Sequence, residues 1–309
     1  MRLPQAWKGR VRLPAIVAPM FLVSNPKLVA ACCRAGVVGT FPALNQRTTD
    51  GFVAWLDELG ATLTANDAPY GVNLIVHKTN PRLDADLKKV VEHRVPLVIT
   101  SLGAVSEVVD AVHSYGGVVF HDVIGVRHAE KAAAAGVDGL IAVAAGAGGH
   151  AGTINPFALI PEIRAMFDGY LALSGCIGSG GGVLAAQALG ADFAYMGTRF
   201  IATQEATVSD AYKQMLLDSR AGDIVYTPHI SGVNANFLRP SIVRAGLDPD
   251  HLEPKKDLDF GAELSGGKAW KDIWSAGQGV GAIHDVPSAT QLCERLIAEY
   301  EATRRALAG

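Results

Sequence analysis

Apolar residues in this chain come in short unbroken runs rich in Val, Ile and Ala, and Ala-rich stretches that read as helices separate them. The runs are 15–20, 37–43, 70–76, 95–101, 117–123, 139–144, 170–175 and 193–197. A strand with one wet face alternates apolar and polar residues, whereas a strand covered on both faces does not. The runs therefore predict eight strands buried on both sides. The turns into them echo one another: Ala35-Gly36-Val37-Val38-Gly39 resembles Ala135-Gly136-Val137-Asp138-Gly139, and Leu189-Gly190-Ala191-Asp192 is a looser copy. Glycine at the end of a helix is the expected cap, because it adopts positive φ without a Cβ penalty. Repeated strand–helix units packed this closely predict an α/β fold, a closed (β/α)8 TIM barrel, rather than an open sheet.

After residue 203 the rhythm breaks. A helix is expected over 206–219, then a polar, turn-rich stretch over 226–236, then Pro240, Pro249 and Pro254. This reads as an inserted α-rich subdomain or lid over 205–265, with the barrel formed by 1–204 and 266–309.

Composition narrows the class. The 309 residues are 49% hydrophobic and 18% charged, too apolar for a disordered chain. The net charge is −3 and no basic stripe is visible, which argues against nucleic acid as a partner. No apolar run approaches the roughly 18 residues that span a bilayer. The cysteines Cys32, Cys33, Cys176 and Cys293 show no metal spacing, so a reducing, cytoplasmic setting without structural disulfides is expected, and no metal. Whether the chain forms a homo-oligomer is left open.

In a barrel of this kind chemistry sits where the strands end. That directs attention to Pro19 and Met20, Asn73, Thr100 and Ser101, His121, the loop 146–152, Ser174 and Gly175, and Gly197 and Thr198. Two glycine-rich turns follow the last two strands: Ser174-Gly175-Cys176-Ile177-Gly178-Ser179-Gly180-Gly181-Gly182 and Met196-Gly197-Thr198. Backbone amides in such turns can approach an anion closely, and barrel enzymes often hold a phosphate at this place. The Gly-Lys-Ser/Thr of a nucleoside-triphosphate loop is absent. His150 lies among Gly146, Gly148, Gly149 and Gly152, and an imidazole there can take or give a proton near neutral pH. Asn73 both donates and accepts, which suits the edge of a planar heterocycle, and Thr100 or Ser101 can serve the same ring. No Gly-x-Ser-x-Gly hydrolase elbow occurs.

Taken in order along nearly the whole chain, these segments resemble the nitronate monooxygenases, formerly 2-nitropropane dioxygenases. The resemblance rests on Ala18-Pro19-Met20, Gly71-Val72-Asn73-Leu74, Val126-Arg127-His128-Ala129, Gly149-His150-Ala151-Gly152, Ser174-Gly175 with Gly180 to Gly182, Met196-Gly197-Thr198-Arg199-Phe200, and Trp274-Ser275-Ala276-Gly277-Gln278-Gly279. It implies a flavin oxidoreductase with FMN as cofactor, acting on a nitronate and O2 to give a carbonyl compound and nitrite. It also implies roles. Pro19 and Met20 pass beside the flavin ring, Asn73 binds it, and Thr100, His121, Gly149, Ser174 and Gly175 belong to the cofactor site. Gly180, Gly181, Gly197 and Thr198 hold the phosphate, Ser275 and Gln278 close the site, and His150 is the catalytic base or positions the nitronate. Two positions depart from the family pattern: Ala18-Pro19 stands where many relatives have Gly-Gly, and Asp122 where some carry lysine. Two other activities fit the same residues, an NAD(P)H-dependent FMN reductase of a quinone or enoyl thioester and a flavin-free barrel that binds a phosphosugar.

Overall fold

The structure is a computed structural model that describes residues 2–77, 79–103, 106–253 and 272–309. Eight parallel strands close on themselves: β1 (Ala15–Val17), β2 (Val38–Pro42), β3 (Tyr70–Ile75), β4 (Leu97–Ser101), β5 (Val118–Val123), β6 (Gly139–Val143), then, past a short strand β7 (Gly149–His150) outside the barrel, β8 (Tyr170–Ser174) and β9 (Phe193–Met196). The ring shuts where Ile16 pairs with Tyr195 and Val17 with Met196. All eight expected strands are present, and their apolar runs are buried on both faces as their lack of alternation required. The first stops short of its expected end, because Pro19 has no amide to continue a ladder.

Local signals set the helix ends. Asn25 caps the helix Pro26–Arg34 by accepting from the Leu28 amide at 3.0 Å, and Ser179 caps Gly180–Leu189 by accepting from Gly182 at 3.2 Å. The three glycines that mark the sequence echo, Gly36, Gly136 and Gly190, have φ of +85°, +85° and +111°. Each turns the chain from a helix into the next strand through a conformation that other residues adopt only at a cost.

One end of the barrel is plugged. Trp7 packs on Phe120 and Phe193, with ring centroids 6.2 and 5.8 Å away, and Tyr170 joins them. Phe193 and Tyr170 open their strands, so this aromatic cluster closes the N-terminal end and leaves the C-terminal end for ligands.

The described part of 205–265 adds a strand pair to the helices expected from sequence. It holds the helices Asp210–Asp218 and Arg239–Arg244 and an antiparallel pair, β10 (Ile224–Thr227) and β11 (Ala235–Leu238). The reason is tertiary. β11 also pairs with β7, Ala235 opposite His150 and Asn236 opposite Gly149, so the barrel's own loop templates the strands. Residues 254–265 of the expected insert lie outside the described residues. Tyr212 stacks on Trp274 at 4.7 Å and its hydroxyl donates to the Ser275 carbonyl, which ties the segment to the returning chain.

Candidate active site

The C-terminal ends of the strands surround a cavity of about 1070 Å³. Pockets for one drug-sized molecule span roughly 300–1,000 Å³, so this one has room for a cofactor and a second molecule. Of the residues singled out from sequence, Pro19, Met20, Asn73, His121, Gly149, His150, Ser174, Gly175, Gly197, Thr198 and Ser275 line it.

Four others do not. The Thr100 hydroxyl lies behind His121 and meets its Nδ1 at 2.7 Å, so it orients that ring. Gln278 is exposed and its amide donates to the Gly146 carbonyl at 2.8 Å, holding the loop from outside. Gly180 and Gly181 face the helix Ala289–Ala308 instead of the cavity. The Gly180 amide donates to Glu299 Oε2 at 2.8 Å, and a Cβ at Gly180 would fall 2.7 Å from Glu299 Cβ and closer still to the Leu296 carbonyl and the Tyr300 amide. These glycines permit close helix packing beside a carboxylate, which is the wrong charge for a phosphate neighbour.

The same glycine-rich stretch offers a better anion cradle a few residues earlier. Gly175 and Cys176 both have left-handed φ, +130° and +60°. The amides of Cys176, Ile177 and Gly178 meet no acceptor among the described residues. Gly175, Cys176, Ile177, Gly197 and Thr198 all line the cavity. Unspent amides on a turn of this kind fit a phosphate group. Three loops interlock around them. Gly277 donates to Thr198 Oγ1 at 2.8 Å, and a Cβ at Gly277 would come 2.6 Å from the Gly146 carbonyl. Arg199, of the same motif, turns away and pairs with Asp285 at 2.8 Å.

His150 is positioned by elements distant in sequence. Ser275 Oγ accepts from the Gly149 amide at 2.7 Å and donates to the Asn236 carbonyl at 2.6 Å, while Asn236 Nδ2 donates to the Ala147 carbonyl at 2.6 Å. Burial pulls the His150 imidazole down to about 4. Burial, helped by His128, pulls His121 down to about 4 as well. Both rings are neutral at pH 7, which is the form a base must have before it takes a proton.

Tyr195 and Tyr226 also stand on this wall without a local motif to mark them, and Trp274 joins Ser275 from the motif 274–279. The Tyr226 hydroxyl donates to the Ala151 carbonyl at 3.0 Å. Leu22, Leu102 and Ile124 line the mouth yet stay 43%, 42% and 45% exposed, giving the opening an apolar rim. Among the described residues no cluster of ligands suits a metal, and no helix is long and apolar enough to cross a membrane.

A family model for nitronate monooxygenase matches residues 81–299. The chain belongs to the nitronate monooxygenase family. It is thus an enzyme of an oxidoreductase family that is flavin-dependent in general and acts on small molecules. It is 27% identical to a nitronate monooxygenase of Paraburkholderia phytofirmans, over 93% of this chain and 91% of that one. It is 25% identical to a (3aS,4S,5R,7aS)-5-hydroxy-7a-methyl-1-oxo-octahydro-1H-indene-4-carboxyl-CoA dehydrogenase of Rhodococcus jostii, over 94% and 93%. The solved nitroalkane oxidase of Streptomyces ansochromogenes superimposes with a TM-score of 0.82 at 27% identity, over 98% of this chain and 100% of that one.

Proposed function

We propose that this enzyme oxidises nitronates, and nitroalkanes that it deprotonates itself, with FMN as cofactor and O2 as oxidant, giving a carbonyl compound and nitrite. The reading is carried by one meeting of parts: a neutral His150 and the unspent amides of Cys176 and Ile177 belong to the wall of the same cavity. Those amides, with Gly197 and Thr198, would hold the FMN phosphate. The backbone at Pro19 and Met20 and the carboxamide of Asn73 would hold the ring system. When bound, FMN supplies an electron acceptor for an electron-rich carbon.

The chain's own residues then do three things. His150 takes the α-proton of a nitroalkane, and for a preformed nitronate it orients the nitro group. The link from Ser275 through Gly149 holds that imidazole in place. Residues 146–149 and 274–277 wall the site. The described part of the segment 205–265, residues 205–253, serves as one wall, through Tyr226 and Tyr212.

A second reading, an NAD(P)H-dependent reductase of a quinone or enoyl thioester, is favoured by the apolar rim, which suits a substrate with a large carbon body. The visible spectrum of the purified protein, followed by anaerobic additions, separates the two. Flavin absorbance that bleaches with a nitronate and not with NADH or NADPH supports the oxidase. Bleaching by the nicotinamide alone supports the reductase. No flavin uptake at all removes both and leaves a phosphate-binding barrel.

A further inference from the structure

Asp122 is the one acid lining the cavity among the described residues. Its surroundings are unusually defined. Asn73 Nδ2 donates to the Ile99 carbonyl at 3.2 Å and to Ser101 Oγ at 2.8 Å, and Ser101 Oγ donates to Asp122 Oδ2 at 2.6 Å. This chain fixes Oδ2 as an acceptor. Oδ1 is shut off from solvent and meets no hydrogen-bond partner among the described residues. It is therefore the oxygen that takes the proton when the acid is neutral, and when the acid is ionised the charge shared by the two oxygens is left without a partner on this side.

From this geometry we infer that Asp122 is a specificity residue that selects electrically neutral substrates over anionic ones. The inference deepens the functional reading of the same cavity and rests on it: the nitroalkane, deprotonated inside by His150, becomes the preferred substrate and the preformed nitronate the poorer one. The physical reason is charge. An anion within about 8 Å of an ionised carboxylate, at an effective dielectric constant of about 20, binds roughly 30-fold more weakly than its neutral isostere.

Burial raises the carboxyl to about 6, against the opposing bond from Ser101, so the discrimination sets in between weakly acidic and neutral pH. Of the other titratable groups on these walls, Tyr195 on β9 is pushed up by burial and by Asp122, Cys176 and Tyr212 are pushed up by burial, Tyr226 comes from β10, and His121 lies beside Asp122 on β5. His128 and Lys131 come from the helix Val126–Ala134, and His150 from β7. His121 and His150, at about 4, stay neutral through the window in which Asp122 titrates. The positive charge of Lys131 would draw an anion in, so the substitution at Asp122 is needed to isolate its part.

The test uses benzoate and benzamide, an anion and its neutral isostere, neither of which is turned over. Their dissociation constants are measured from pH 5 to 8 by perturbation of the flavin spectrum, and by tryptophan fluorescence on flavin-free protein, since Trp274 lines the cavity. The wild type should bind benzoate at least tenfold more weakly at pH 8 than at pH 5, with benzamide unchanged. Asp122→Asn, which keeps the shape and an acceptor for Ser101, should flatten the benzoate profile. A flat benzoate profile in the wild type overturns the inference, and so does an equal slope in D122N. If D122N fails to fold, Ser101→Ala takes its place: it removes the one bond that opposes the rise of the Asp122 carboxyl, so the step in the benzoate profile should move to higher pH, and an unmoved step overturns the inference. Loss of flavin binding would undo the functional reading while leaving the flavin-free measurement intact, so the two failures are told apart.

Discussion

Gly180→Ala is the sharpest test of where the phosphate does not sit. A methyl group at this position would be pressed under 3.0 Å against the Leu296 carbonyl, the Tyr300 amide and Glu299 Cβ. Two of these are backbone atoms of a long helix, so no side-chain rotation relieves the clash. The helices Gly180–Leu189 and Ala289–Ala308 must separate, straining the Gly180–Glu299 bond at 2.8 Å and the Tyr300–Gln187 bond at 2.7 Å. Overpacking of this kind costs about 3 kcal/mol, at the upper end of its usual range. Melting entropy is about 2 cal/mol/K per residue, which for 309 residues converts that cost into a fall in Tm of about 5 °C. Differential scanning calorimetry measures it. FMN titration of the folded variant should return the wild-type affinity, because the cradle at 176–178 is untouched. A Tm within 1 °C of wild type (~0.65 kcal/mol by the same conversion) together with a lost flavin affinity would refute the reasoning and return Gly180 to the phosphate site.

Other outcomes follow from the same geometry. His150→Asn should retain FMN but lower turnover of a nitroalkane by about 10²-fold or more, measured by oxygen uptake; unchanged turnover removes His150 from the mechanism. Ser275→Ala removes the acceptor for Gly149 and the donor to Asn236, and should cost about 1–2 kcal/mol in urea denaturation while lowering kcat more than it weakens FMN binding. Stability should depend on pH through three groups. His121 and His150 have folded values near 4, below the ordinary imidazole value of 6.5, so their contribution is complete above that value and is lost as pH falls towards 4. Asp122, raised to about 6 from 3.8, acts oppositely and favours the fold at the acid end of the same window. D122N should therefore steepen the acid-side loss in urea midpoint from pH 6.5 to 4, and an unchanged slope would show that Asp122 is not protonated in the fold.

Much of this enzyme was written in local pattern. Eight unbroken apolar runs specified strands buried on both faces, and Gly36, Gly136 and Gly190 marked the turns into them. The rule that barrel chemistry sits at strand ends points to Asn73, His121, His150, Gly197 and Thr198, and all five line one cavity. Propensity, capping and alternation act over a few residues, so a few residues suffice to read them.

What only the tertiary structure decided depends on partners far away in the chain. The stretch from Gly175 to Gly182 is glycine-rich throughout, and nothing local separates the amides left free at 176–178 from the glycines spent on packing. The helix Ala289–Ala308, more than a hundred residues later, makes that division by lying against Gly180. β10 and β11 are strands because β7 offers them an edge. Asp122 is an ordinary acid in sequence. It becomes a proton-holding one because the barrel buries it and Ser101 satisfies only one of its oxygens. Burial and hydrogen-bond satisfaction are properties of the closed barrel, and they came into being only when the last strand met the first.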